Sequence, residues 1–333
     1  MTKIALTGIK PTGIPHIGNY LGAIKPALEL SKTCEARYFI ADYHALNSTK
    51  DPQSIREMTI EIAAAWLACG LDPDKTLFYR QSAIPETFEL LTILLAFTPK
   101  GLMNRAHAYK ALVQANGEAG KDPDDGVNMG LFTYPVLMAA DILLFDTDFV
   151  PVGNDQFQHV EMAVDIAQSF NFIYSSDAIK LPQALAHETA KTVLGLDGRK
   201  MSKSYGNIIP LFAPEKQLRK LVMKIVTNSH SVEEPKDPDN CSVFALYKCF
   251  ADEAQIESLR QRYLAGGMGW GHAKQELFER MNEALSPFRK RYEELMANRD
   301  YIHQILKEGS EKARPLAAAK IRQLRRIIGL DSV

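Results

Sequence analysis

Over its first hundred residues the chain alternates short apolar runs with segments of helical periodicity, and that alternation leaves few folds open. Thr2 to Thr7, Arg37 to Asp42 and Thr76 to Arg80 read as strands. Apolar residues return at helical spacing after Tyr20 through Leu21, Ile24, Leu28 and Leu30, and after Asp51-Pro52 through Ile55, Met58, Ile62, Ala65 and Trp66 to a stop near Gly70. Pro85 to Phe97 is a third such segment. Strand and helix in this order build a parallel sheet covered on both faces, with ligands at the C-terminal strand ends. His44 and Gln81 stand just past two of those ends. From Ile208 the pattern becomes all helical, with candidates at Leu211 to Val226, Ser242 to Leu264 and, despite Pro287, Ala273 to Asn298. The expected fold class is α/β with an all-helical C-terminal part.

Two loops carry the chemistry. The first, Leu6-Thr7-Gly8-Ile9-Lys10-Pro11-Thr12-Gly13-Ile14-Pro15-His16-Ile17-Gly18-Asn19-Tyr20, runs from a strand onto a helix start, where unpaired backbone N–H groups and the helix dipole suit a phosphate. Read alone, it fits a structural turn equally well. The second, Gly195 to Asn207, sets two lysines around a Met-Ser pair in a glycine-punctuated turn. Ammonium groups on such a loop can neutralise charge building on a leaving pyrophosphate.

The second loop reads Lys200-Met201-Ser202-Lys203-Ser204 and the first contains His16-Ile17-Gly18-Asn19. In this order and spacing the pair resembles the two signatures of the class I aminoacyl-tRNA synthetases, known as HIGH and KMSKS. The second is letter-perfect, while the first ends in Asn19. The fold this implies is a Rossmann-like nucleotide-binding parallel sheet, with a catalytic domain over 1–207, a helical anticodon-binding domain over 208–300 and a C-terminal helix, 301–333, returning to the catalytic domain.

Composition agrees with a globular protein of this size. The 333 residues suffice for one large or two modest domains, and 46% hydrophobic with 24% charged residues is ordinary. No apolar run reaches membrane-span length and the N-terminus shows no signal-peptide pattern, so a cytoplasmic location and no membrane contact are expected. Cys34, Cys69, Cys241 and Cys249 are scattered without a metal-ligand pattern, and no protein-held metal is expected. With a net charge of -1, any nucleic acid must be met by local basic patches.

The middle of the chain narrows the substrate. Tyr134-Pro135 precedes a helix with Met138, Asp141 and Ile142 on one side. Asp141 is a lone carboxylate among apolar neighbours, so it needs a donor: a backbone N–H or an arginine on a structural reading, the substrate on a functional one. His44 is likewise either a structural histidine or a wall of the pocket. After the strand Asp148 to Val152, the turn Gly153-Asn154-Asp155-Gln156 places a carboxylate where ribose hydroxyls bind.

Tyr134-Pro135, Leu137-Met138-Ala139-Ala140-Asp141 and Val150-Pro151-Val152-Gly153-Asn154-Asp155-Gln156 with His159 resemble the tryptophanyl-tRNA synthetases of bacteria, from about Lys3 to about Gly329. That resemblance implies that Asp141 accepts a hydrogen bond from the indole N–H. Leu6, Gly8, His44, Met138, Val150 and Val152 would wall the indole pocket, and Tyr134 and Gln156 would hold the α-amino group. Gly153, Asn154 and Asp155 would bind the ATP ribose side, Lys10, Pro11, Thr12, Gly18 and Asn19 the nucleotide and its phosphates, and Lys200 to Ser204 the pyrophosphate. Lys203, Lys200, His16, Asn19 and Lys10 are the implied catalytic groups, with Mg2+ accompanying ATP, and tRNA(Trp) and a second copy of the chain as partners.

Two positions depart from the pattern. Lys10 stands where many relatives carry Gln, and Leu112 stands where they place a second lysine after the one aligned with Lys110. Lys10 is expected to replace that charge in part. The run Ala115 to Asn128 reads as a mobile insertion near the site or a subunit interface. The C-terminal cations Lys307, Lys312, Arg314, Lys320, Arg322, Arg325 and Arg326 read as a solvated face or as tRNA contacts. A tyrosine-specific synthetase and a silent tRNA-binding paralogue are the competing functions.

Overall fold

The computed structural model describes residues 2–153, 156–186 and 193–331. Five strands, β1 (Ile4–Ile9), β2 (Glu35–Ile40), β3 (Thr76–Arg80), β4 (Phe149–Val152) and β5 (Gln183–Ala186), form one parallel sheet in the order β3-β2-β1-β4-β5. The chain leaves β1 toward one side and later returns to the other, so a crevice opens at the C-terminal ends of β1 and β4.

Period-2 alternation sorts the strand residues between two apolar clusters. Tyr38 and Phe78 pack with Trp66, from helix Pro52–Ala68, on one face, while Leu6, Phe39 and Tyr79 face helices Glu86–Leu95, Met129–Leu143 and Phe157–Ile173 on the other. The first cluster runs without a break into the helical part through Leu211, Phe244, Tyr263, Leu277 and Met281. Sheet and bundle therefore share one core.

Local signals explain most helix ends. Asp51 caps Pro52–Ala68 by accepting the Ser54 N–H at 2.7 Å. Where the sequence suggested one helix over Ser242 to Leu264 there are two, Ser242–Tyr247 and Glu253–Ala265; Asp252 starts the second by accepting the Gln255 N–H at 2.8 Å, and Gln255 returns the bond. Helix Met129–Leu143 begins six residues before Pro135, capped by Asn128, whose side chain accepts the Leu131 N–H at 2.9 Å. The segment read as a mobile insertion is folded: helix His107–Glu118 takes its start, Asn116 donates to the carbonyls of Pro123 and Asp125 at 3.0 and 2.8 Å, and Tyr109 donates to Asp124 at 2.9 Å.

Helix Arg299–Ile328 covers the edge strand β3. The closest approach is at Gly309, where a Cβ would lie 1.8 Å from the Phe78 carbonyl oxygen. Backbone, not a flexible side chain, is the obstacle. Gly309→Ala should therefore cost about 1–3 kcal/mol or more, read as a lower denaturant midpoint; an unchanged midpoint would show that the helix lifts off without penalty. The same helix fixes the fate of three C-terminal cations: Arg314 pairs with Glu86 at 3.3 Å, Arg325 with Glu89 at 2.5 Å, and buried Lys320 with Asp146. Lys320 is bonded within the fold, while the two arginines are paired at the surface.

Candidate active site

The crevice between β1 and β4 is a cavity of about 610 Å³. Leu6 and Gly8 enter it from β1, Val150 and Val152 from β4, and Tyr134, Met138 and Asp141 from helix Met129–Leu143, while His44, Gly153 and Gln156 complete the wall. All nine residues that the resemblance assigned to tryptophan thus line one space. Phe39 and Ala41, which the sequence did not single out, line it too. In the β1–β2 register Gly8 is opposite Phe39, and a Cβ there would sit 2.5 Å from the Phe39 ring. Any side chain at position 8 would displace that ring from the wall.

Asp141 is buried and hydrogen-bonded by Gln81 and His44, with no arginine bonded to it among the described residues. Gln81 Nε2 donates to its two oxygens at 2.9 and 2.8 Å, and His44 Nε2 stands 3.1 Å from Oδ2. Gln81 is itself immobilised, since its Oε1 accepts the Tyr43 N–H at 3.1 Å. Burial pushes the Asp141 carboxyl above the usual range, opposed by the hydrogen bonds from His44 and Gln81. Oxygen lone pairs remain for one further donor. The position of Gln81 just past β3 was legible in the chain; its service to Asp141 was not, because 60 residues separate them.

Tyr134 places its hydroxyl 2.6 Å from His159 Nε2, and its ring meets His44 edge-on. Gln156 lines the same cavity. Asn154 and Asp155, assigned to the ATP ribose, fall outside the described residues. Lys10 reaches into the cavity and donates to Ser48 Oγ at 2.9 Å. Burial lowers its pKa from the lysine norm. Lys110 is exposed on helix His107–Glu118, and neither it nor Leu112 lines the cavity, to which that helix contributes Ala108.

The two loops meet. The Ile17 N–H donates to the Ile209 carbonyl at 3.0 Å and the Leu211 N–H to the Pro15 carbonyl at 2.9 Å, which stitches the chain after the second loop to the first. Lys203 Nζ donates to the Thr12 carbonyl beside Gly13, whose N–H points to Met58 Sδ. Burial lowers the Lys203 pKa, while half-buried Glu61 raises it. His16 is buried, and burial with the Lys203 charge brings its pKa down to about 4, so at neutral pH it is an uncharged imidazole. Asn19 turns back so that its Oδ1 accepts the His16 N–H at 3.0 Å, and a Cβ on Gly18 would press within 2.9 Å of the His16 ring. Pro11 is buried behind this turn.

Asn207 governs the second loop. Its Oδ1 accepts the Ser202 N–H at 2.8 Å, and its Nδ2 donates to Asp197 at 2.7 Å and to the Lys200 carbonyl at 3.1 Å. Asn207 with Arg199 holds the Asp197 carboxyl down to about 2. Buried Met201 anchors the centre, leaving Lys200 and Ser204 exposed, with Ser202 and Ser204 bonded at 2.8 Å. The loop therefore offers its lysines from a fixed base.

A parallel nucleotide-binding sheet whose crevice brings a His-Ile-Gly-Asn loop against a Lys-Met-Ser-Lys-Ser loop is the catalytic frame of a class I aminoacyl-tRNA synthetase. A family model described as tRNA synthetases class I (W and Y) matches residues 2–286. The tryptophan–tRNA ligase of Pseudomonas aeruginosa is 52% identical over all of this chain and 75% of its own length, and that of Neisseria meningitidis is 49% identical over 98% of both. A solved structure of tryptophanyl-tRNA synthetase from Campylobacter jejuni, complexed with ADP and tryptophan, superposes with a TM-score of 0.86 at 44% identity, covering 98% of this chain and 100% of that one. The chain belongs to the class I synthetases of the tryptophan and tyrosine type, and within them to the tryptophanyl-tRNA synthetases of bacteria.

Proposed function

We infer that this chain is a tryptophan–tRNA ligase: it activates L-tryptophan with ATP to tryptophanyl-adenylate and pyrophosphate, then passes the tryptophan to the terminal ribose of tRNA(Trp). The observation that carries the reading is the buried Asp141 carboxylate at an apolar cavity, held by Gln81 and His44 with acceptor capacity to spare. An indole N–H satisfies it; phenylalanine would leave it unpaired, which a site of this kind penalises heavily.

In this reading the tryptophan carboxylate attacks the α-phosphorus of ATP in line and pyrophosphate leaves. No protein nucleophile takes part. Catalysis is positioning plus charge stabilisation. Tyr134 and Gln156 hold the α-amino group, Gly153 and Asp155 the ribose, and Gly18 and Asn19 the nucleotide above the first loop. Lys200 and Lys203 meet the departing charge, and His16 donates a hydrogen bond to the phosphates. Mg2+ would arrive on the nucleotide phosphates as part of the substrate. A homodimer is proposed on the family likeness; Phe172, Ile173 and Leu181, exposed beside β5, offer apolar surface for it.

ATP–pyrophosphate exchange measured with each of the twenty amino acids tests the reading: tryptophan alone should support it, and exchange with tyrosine instead would replace the assignment. Lys10 contributes in the same assay. Its ammonium is bonded to Ser48 at the cavity wall, and in this reading it meets the tryptophan carboxylate and the α-phosphate. Lys10→Gln should slow adenylate formation about tenfold, or roughly 1.4 kcal/mol, and an unchanged rate would remove Lys10 from the catalytic set.

A further inference from the structure

The acceptor end of a tRNA is only a small part of what a synthetase must hold, so the surface beyond the crevice has to meet RNA backbone. Five arginines of the helical part are already in ion pairs. Arg260 binds Asp239 at 2.8 Å, Arg262 binds Glu276 at 2.6 Å, Arg280 binds Glu283 at 2.7 Å, Arg291 binds Glu294 at 3.2 Å, and Arg299 binds Glu57 at 2.7 Å. With Arg314, Lys320 and Arg325 engaged on the catalytic part, the strongly basic C-terminal helix has much of its charge neutralised.

Helix Glu215–Met223 is different. Lys216, Lys220 and, at its C-terminal cap, Lys224 follow one another at intervals of four, so they line one face over about 12 Å of axis. All three are exposed and line a shallow open groove of about 510 Å³ with Gln217 and Leu221. None takes part in an ion pair among the described residues, and Arg219 on the adjoining face contacts only the neutral side chain of Gln275, at 3.2 Å. Leu218 and Val222 bury the opposite face, which fixes the stripe outward. The helix is also tied to the catalytic loop: it starts eleven residues after Ser204, and just past its end the Val226 N–H donates to the Leu196 carbonyl at 2.8 Å.

We propose that the Lys216–Lys220–Lys224 stripe is a docking surface for the sugar-phosphate backbone of tRNA, at a fixed place relative to the Lys200 to Ser204 loop. An unpaired row of lysines on a chain whose net charge is -1 is a local electrostatic feature, and a polyanion is its complement. The surface reads phosphates and not bases, so it supplies affinity and orientation while leaving selection of the tRNA to other contacts. This inference rests on tRNA being the second substrate.

The experiment is the triple variant Lys216→Ala, Lys220→Ala, Lys224→Ala in the full chain, with the corresponding triple Lys→Arg variant beside it. Tryptophan-dependent ATP–pyrophosphate exchange, which needs no tRNA, should be unchanged in both. In the alanine variant the KM for tRNA(Trp) should rise at least tenfold, and the slope of log affinity against log salt should become shallower by about 2–3, at 0.7–0.9 for each phosphate no longer neutralised. The arginine variant should retain wild-type slope and KM. An unchanged slope in the alanine variant, or an arginine variant as weak as the alanine one, would overturn the proposal. Absence of tryptophan-dependent exchange in the unmutated protein would instead overturn the functional reading beneath it.

Discussion

Replacing Asp141 by alanine should lower kcat/KM for tryptophan activation about 1,000-fold, equivalent to roughly 4 kcal/mol of transition-state stabilisation. The carboxylate lies in the cavity with Gln81 Nε2 on both oxygens and His44 3.1 Å away. Removing it leaves three donors facing an apolar slot: the Gln81 amide, the His44 ring and the indole N–H. Each buried donor without an acceptor costs more than the bond it once made was worth. Asp141→Asn keeps the shape but turns one oxygen into a donor, so it should fall nearly as far. Both effects should be visible in exchange assays against tryptophan, tyrosine and phenylalanine, with discrimination against phenylalanine shrinking most. A variant that kept wild-type discrimination would show that the indole nitrogen is read elsewhere.

Lys203→Ala comes next, with an expected fall of 100- to 1,000-fold in kcat for exchange and little change in the KM for tryptophan, since a group that meets charge only as pyrophosphate leaves acts on the transition state. In the structure the ammonium rests on the Thr12 carbonyl in the first loop, two residues past Lys10 of the cavity wall. Burial lowers its pKa, so its positive charge is lost at a lower pH than that of a free lysine. The alkaline limb of activity should accordingly begin below the ordinary lysine range, and Lys203→Arg should move that limb upward even where it costs rate. His16, brought down to about 4, stays neutral through this range and adds no limb near neutrality. If Lys203→Ala raised the tryptophan KM and left kcat intact, the lysine would belong to ground-state binding.

Much of the fold was written in local patterns. Alternating strand and helix signals, Asp51 before Pro52 and the helical run after Ile208 need only nearest-neighbour physics, namely periodicity and capping, and the sheet and helices appear there. Local reasoning erred where a distant contact outweighed a local cue. Pro135 sits inside helix Met129–Leu143, because Asn128 starts that helix earlier and packing on helix Phe157–Ile173 sustains it. The stretch Ala115 to Asn128 looked free from its polar letters, yet Asn116 and Tyr109 bind it down. The basic tail read as a solvated face or as tRNA contacts, and three of its cations, Arg314, Lys320 and Arg325, meet Glu86, Asp146 and Glu89 instead.

Contiguous letters were enough to state the class of chemistry, since the Lys200 to Ser204 loop and the His16 to Asn19 turn are unbroken strings that together resemble the two signatures of the class I synthetases. They also singled out Asp141 as a charge in need of a donor. What surrounds that charge, and how the loops meet, emerged only on folding: Gln81, Ser48, Asn207 and Met58 are separated by tens of residues from the groups they hold or, like Asn207, act through a folded turn. The difference is one of range. Periodicity and caps act over one or two turns of chain, whereas hydrogen-bond partners for a buried charge and counterions for a surface cation are chosen by whichever segments the sheet order and helix packing bring together.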